Sequence, residues 1–137
     1  MRWPNLFFIL LAQSLFQFCI YHPLYPNDTN PGNVSFIFIV LSSVCIAAAG
    51  YVINDYFDIN IDQINKPEKV VVGSHISRRW VIFWHMCFSI LAIYILVMVF
   101  PFKEYWHLHL CNVASIILLW FYSTNFKKDF FVGNVVI

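Results

Sequence analysis

The stretch NDYFDINID, residues 54–62, puts one asparagine and three aspartates directly behind the apolar run VSFIFIVLSSVCIAAAGYVI. If a helix runs through that boundary, Asp55, Asp58 and Asp62 fall at i, i+3 and i+7 on one stripe, with Asn54 one turn before Asp58. Two carboxylates about 6 Å apart repel by roughly 3 kcal/mol at an effective dielectric near 20, so a cation is expected to compensate them. Magnesium suits that arrangement, because it takes one or two carboxylates, keeps several waters and completes its octahedron with phosphate oxygens of a substrate. The stripe therefore reads as a diphosphate anchor with Asp55, Asp58 and Asp62 as metal ligands. Calcium fits less well: Asp58, Asn60 and Asp62 match the first three ligand positions of an EF-hand loop, but Gln63 stands where glycine is required and Lys69 where the closing glutamate belongs. The plainer reading is a solvated helix end whose acids pair with Lys66 and Lys69. Three acids on one stripe at a membrane boundary, where ionisable groups are costly, favour the metal site.

The elements that must carry this stripe are membrane helices. Of the 137 residues 61% are hydrophobic and 11% charged, and the mean hydropathy is +0.71, far from the quarter of charged residues usual in soluble domains. A net charge of +1 without a basic cluster excludes a nucleic-acid binder. Four segments approach the ~20 apolar residues that span a bilayer as a helix: residues 5–21, 34–53, 80–102 and 106–126. An all-α, polytopic transmembrane bundle follows. HPLYPNDTNPGN is loop chemistry between the first two spans, and PFKEYW is a tight turn between the last two. A cleaved signal peptide is disfavoured, since the first apolar stretch runs to Ile20 without a small-residue cleavage site.

Smaller signals agree. Trp3, Tyr21, Tyr25, Trp80, Tyr105 and Trp106 lie near the proposed ends, as an interfacial aromatic belt would. Arg2, Lys66, Lys69, Arg78, Arg79, Lys127 and Lys128 fall on one side and only Lys103 on the other, which turns the aspartate loop toward the cytoplasm. The four cysteines, one per apolar run and without metal spacing, read as reduced packing residues. His107 and His109 point to different helix faces and read as solvated at the interface, whereas His85, inside the third span, needs an interhelical hydrogen bond. The sequons Asn27-Asp28-Thr29 and Asn33-Val34-Ser35 are too short to be told from chance.

With Asn54, Asp55, Asp58 and Asp62 in place, the chain resembles the UbiA-type intramembrane prenyltransferases, whose first aspartate motif runs NDxxDxxxD at the cytoplasmic end of the second helix. The continuation NKPEKVVVGSHIS resembles the family's NKPxRPxxxGxIS, with Lys69 and Val70 in place of the usual Arg and Pro. YSTNFKKDFFVGN resembles the YSxxLK segment and following GN after the fourth helix, matching at Tyr122, Ser123, Lys127, Gly133 and Asn134, with Phe126 for Leu. RWPNL is similar to the family's Arg and Asn at the first helix. The family is a nine-helix bundle with a second aspartate motif between the sixth and seventh helices. The resemblance thus implies that residues 1–137 are about four helices of that fold, the N-terminal part of a single prenyltransferase domain that stops before the second motif. GNVVI, which opens a further apolar stretch, agrees with a fragment.

The activity implied by the resemblance is transfer of an isoprenoid from a prenyl diphosphate to a lipophilic acceptor within the membrane. Magnesium on Asp55, Asp58 and Asp62 would stabilise the charge of the leaving diphosphate. Asn54 would ligate the metal or orient an aspartate, Lys66 and Lys127 would add cationic contacts, and Tyr122 and Ser123 would hydrogen-bond the diphosphate. Among acceptors the NDYFDINIDQINKPEKVVVG stretch is most similar to geranylgeranylglycerol-phosphate geranylgeranyltransferases. Aromatic or quinone-precursor and tetrapyrrole prenyltransferases are the alternatives within the family. A CDP-alcohol phosphotransferase lacks its DGxxAR-type start here. A cation transporter or channel fragment would place the acids along a path rather than at one end of a span, and a non-catalytic half-bundle would bind prenyl diphosphate without transfer.

Overall fold

The computed structural model describes residues 3–26, 32–59 and 76–124. Its elements are helices. The first, α1 (Trp3–Leu15), runs on as a π-helical stretch, Phe16–Tyr21, and one more α-turn, His22–Leu24. Then follow α2 (Asn33–Phe57), α3 (Arg78–Val99) and α4 (Phe102–Thr124).

Three helical stretches, Pro4–Leu24, Val34–Phe57 and Arg78–Val99, are long and apolar enough to cross a membrane. The expected fourth span exists as α4, long enough at 23 residues. Its first half, however, carries Lys103, Glu104, His107, His109 and Asn112, so it does not match the other three in apolarity. Part of that polar load faces inward, since His109 and Asn112 are buried.

The helix ends differ from the hydropathy boundaries for local reasons. α3 stops at Val99, not near 102, because the residue before a proline is driven out of the α region: Phe100, preceding Pro101, sits at φ −117°, ψ 116°. α4 opens with a turn that breaks at Tyr105 (φ −113°, ψ 29°), so the regular helix starts where the apolar pattern does, at Trp106. The first helix continues past Tyr21 into what reads as loop. The bond from the His22 N–H to the Gln17 carbonyl is a π-type i→i−5 contact, and Pro23 falls in the opening turn of His22–Leu24, where its missing N–H costs little.

α2 is the centre of the bundle, packing most extensively against α3 and next against α4. Cys45 and Ile46 meet Ala92 and Ile95 of α3, with Phe38, Ile116 and Leu119 closing over them. Small residues make this approach possible. Ala48 and Ala49 are buried, and a Cβ at Gly50 would lie 2.9 Å from Leu119 Cδ1, so α4 approaches closely enough that a larger side chain there would have to displace Leu119. α1 is largely exposed, and the π-helical stretch that follows it meets α2 through Phe18 and Phe36, whose rings stand edge-on at 6.0 Å. All four cysteines are free, as expected.

Candidate functional site

The described part of the acidic motif, Asn54 to Asp58, lies at the last turn of α2. The helix continues through Phe57, and Asp58 caps it while keeping helical angles (φ −84°, ψ −4°), so Asn54, Asp55 and Asp58 follow the stripe their spacing predicts. Asn54 Nδ2 donates to Asp58 Oδ2 at 2.7 Å. That is a short, charge-assisted bond, and it fixes the plane of a carboxylate only 6% exposed. Asn54 and Asp55 are half-buried. The Asn54 amide is thus bonded to an aspartate of the stripe one helical turn on.

The second helix ends beside elements that bring the other candidates to the same end of the bundle. Ile59, just beyond Asp58, packs on Val81 in the first turn of α3, with Val52 and Tyr56 against them. Phe57 meets Trp120 of α4 edge-on at 6.0 Å. Tyr122 and Ser123, in the last turn of α4, and Arg78 and Arg79, opening α3, therefore lie at the acidic end. Tyr122 is half-buried. Ser123 is buried and its Oγ donates to the Leu119 carbonyl at 2.9 Å, so its only proton is already engaged within its own helix. Asp62, Lys66 and Lys127 lie outside the described residues, as do Lys69, Gly133 and Asn134.

A hard divalent cation fits the groups present. Two carboxylates three residues apart and the amide of Asn54 form an all-oxygen donor set, one carboxylate being already held in a buried position. Among the described residues no three His, Cys, Asp or Glu side chains gather into a metal cluster, and the third acid of the stripe, Asp62, is not among them.

The histidines sort differently from their spacing. His85 makes the interhelical bond expected of it, with Nδ1 3.0 Å from the Ala49 carbonyl oxygen. His109 does not sit in interfacial water: it is buried, its Nε2 lies 3.1 Å from the Phe100 carbonyl, and its ring stacks on Phe102 at 5.3 Å. The reason is the two-residue connection before α4, which turns the Phe100 carbonyl toward a donor nine residues on. Trp120 was hidden among lipid-type aromatics; its rings face His85 at 5.2 Å and Phe57 at 6.0 Å, and only the three-dimensional pairing reveals it.

Comparison with known proteins places the chain among prenyltransferases. A digeranylgeranylglyceryl phosphate synthase of Sulfolobus acidocaldarius is 35% identical over 96 residues, covering 67% of this chain and 32% of that protein. One from Methanoregula boonei is 35% identical over 92 residues, covering 67% of this chain and 31% of its own. One from Methanosarcina barkeri is 26% identical over an alignment that takes in 100% of this chain and 48% of that protein. The chain thus spans about a third to a half of the length of these curated relatives. No solved structure matches it. The profile of the UbiA prenyltransferase family matches residues 6–137, nearly the whole chain, and the chain belongs to that family.

Proposed function

We propose that the intact protein transfers an isoprenoid from a prenyl diphosphate to a lipophilic acceptor, with Asp55, Asp58 and Asp62 binding the diphosphate through magnesium. The observation that carries this reading is the Asn54–Asp58 bond at 2.7 Å, which holds a buried carboxylate at the acidic end of α2 in a chain of this family. Magnesium, when bound, neutralises charge on the departing diphosphate.

The chain's own residues do the rest. Asn54 holds the Asp58 carboxylate in one orientation, so no reorganisation is needed when the ion and diphosphate arrive. Lys66 and Lys127 contact the diphosphate as cations, and Tyr122 donates a hydrogen bond to it. Ser123 would have to leave Leu119 to donate to an anion, so its part is to hold the last turn of α4 that presents Tyr122. The bias of basic residues toward this end supports a cytoplasmic orientation, where a water-soluble diphosphate head enters while its tail stays among apolar helix faces.

For the acceptor we propose geranylgeranylglyceryl phosphate, because the relatives named above are digeranylgeranylglyceryl phosphate synthases. The test is Asp58→Asn in the intact protein, supplied with geranylgeranyl diphosphate, magnesium and that acceptor. Transfer should disappear while membrane insertion is unchanged. Transfer at the wild-type rate would remove Asp58 from the site.

A further inference from the structure

The end of α2 that carries the acids is gripped by one stripe of α3. His85 is 3% exposed and brings Nδ1 3.0 Å from the Ala49 carbonyl oxygen. A carbonyl only accepts, so Nδ1 carries the proton and the tautomer is set. The imidazole ring lies 5.2 Å from the Trp120 indole, which in turn stands edge-on to Phe57 at 6.0 Å. Phe57 immediately precedes Asp58, and Val81, one turn before His85 on α3, closes on Ile59, immediately after Asp58.

Apolar packing alone does not call for a histidine at this position. A buried imidazole in a span is unfavourable unless bonded, and a phenylalanine would fill the same space. What histidine adds is a donor from α3 to the backbone of α2 about two turns above the acids, together with a ring that seats Trp120 against Phe57. We propose that His85 is a positioning residue for the acidic motif, setting the direction in which Asp55 and Asp58 leave α2. This deepens the proposed function and rests on it.

The test uses the intact protein in lipid nanodiscs, with magnesium titrated at a fixed concentration of geranylgeranyl diphosphate and bound diphosphate as the readout. His85→Phe keeps a ring beside Trp120 but has no donor, whereas His85→Asn places an amide N–H where Nδ1 lies. The Phe variant should raise the half-saturating magnesium concentration about fivefold, the equivalent of one net hydrogen bond, and the Asn variant should return it to within about twofold of wild type. Should the Phe variant not fold, His85→Gln, whose longer arm cannot place its amide at the Nδ1 position, takes its place with the same expected rise. A merely structural histidine would lower the unfolding midpoint and leave the magnesium midpoint where it was; that result overturns the proposal, as does an equal shift in both variants. A wild-type protein whose diphosphate binding ignores magnesium refutes the proposed function itself, and the positioning role with it. Wild-type dependence with a silent Phe variant refutes only the positioning role.

Discussion

Ser42→Ala and Asn112→Val remove opposite ends of one hydrogen bond, and the structure gives them unequal consequences. Asn112 Nδ2 donates to Ser42 Oγ at 2.7 Å, and Ser42 Oγ donates to the Ala92 carbonyl at 3.0 Å, so one chain of polar groups ties α4 to α2 and α2 to α3. The other end of the Asn112 amide, Oδ1, is buried and makes no hydrogen bond among the described residues. Ser42→Ala leaves Nδ2 buried and unpaired as well, which costs about 1–3 kcal/mol. Asn112→Val forfeits an interhelical bond worth about 0.6 kcal/mol on average, and up to ~1.7, in membrane proteins. It also removes the unpaired Oδ1, whose burial costs about 1–3 kcal/mol. The serine variant should therefore be destabilised by about 1–3 kcal/mol, and the valine variant should match or exceed wild type. The double variant should resemble Asn112→Val, because it leaves no amide unpaired, giving a coupling energy as large as the cost of Ser42→Ala alone, about 1–3 kcal/mol. Reversible unfolding in mixed micelles of mild and denaturing detergent measures all four proteins. Equal destabilisation by the two single changes, or additivity in the double, would refute the reasoning.

Two further sites give graded expectations. At Gly50 an added methyl meets only the tip of Leu119, 2.9 Å from Cδ1, so Gly50→Ala should fall within about 1 kcal/mol of wild type, the helix-propensity gain offsetting the displaced side chain. Gly50→Val has no such escape and should cost about 1–3 kcal/mol in the same unfolding assay. In the last turn of α4, Tyr122→Phe should weaken magnesium-dependent binding of prenyl diphosphate about tenfold, the worth of a hydrogen bond to a charged group. Ser123→Ala should leave that affinity within about twofold, because its proton already serves Leu119. Equilibrium binding of labelled diphosphate distinguishes the two, and a larger loss for Ser123→Ala would reverse their roles.

What could be read from residues alone was what depends on spacing along one helix. Asn54, Asp55 and Asp58 share a stripe by arithmetic, and the stripe is there. Hydropathy also located the helices, within a few residues. It could not say which face of each turns inward, because lipid and protein interior are both apolar and a buried membrane helix carries little amphipathic signal. The inner face is marked instead by small and polar residues, and their partners are far apart in sequence: Ser42 with Asn112, His85 with Ala49. His109 illustrates the limit. Near a helix end, histidine in water and histidine bonded to a turned-out carbonyl have the same local sequence, and the choice is made by the Phe100–Pro101 connection.

The length of α2 ties these pieces to function. At 1.5 Å per residue its 25 residues extend about 37 Å, more than the ~30 Å of hydrocarbon. About 20 residues, Asn33 to Ile53, suffice to cross the hydrocarbon, so a span that begins at Asn33 would bring Asn54 to the headgroup region. A helix end projecting into that region would fray if unsupported, since its last carbonyls lack partners and water competes for its backbone. Here it does not stand alone: Val81 meets Ile59, Trp120 meets Phe57, and His85 bonds Ala49 where Gly50 admits α4. Asn54, Asp55 and Asp58 thus lie on a stretch of helix that is packed against two neighbours. Under the proposed function, such support is what a diphosphate anchor requires where a polar head and a lipid tail part company.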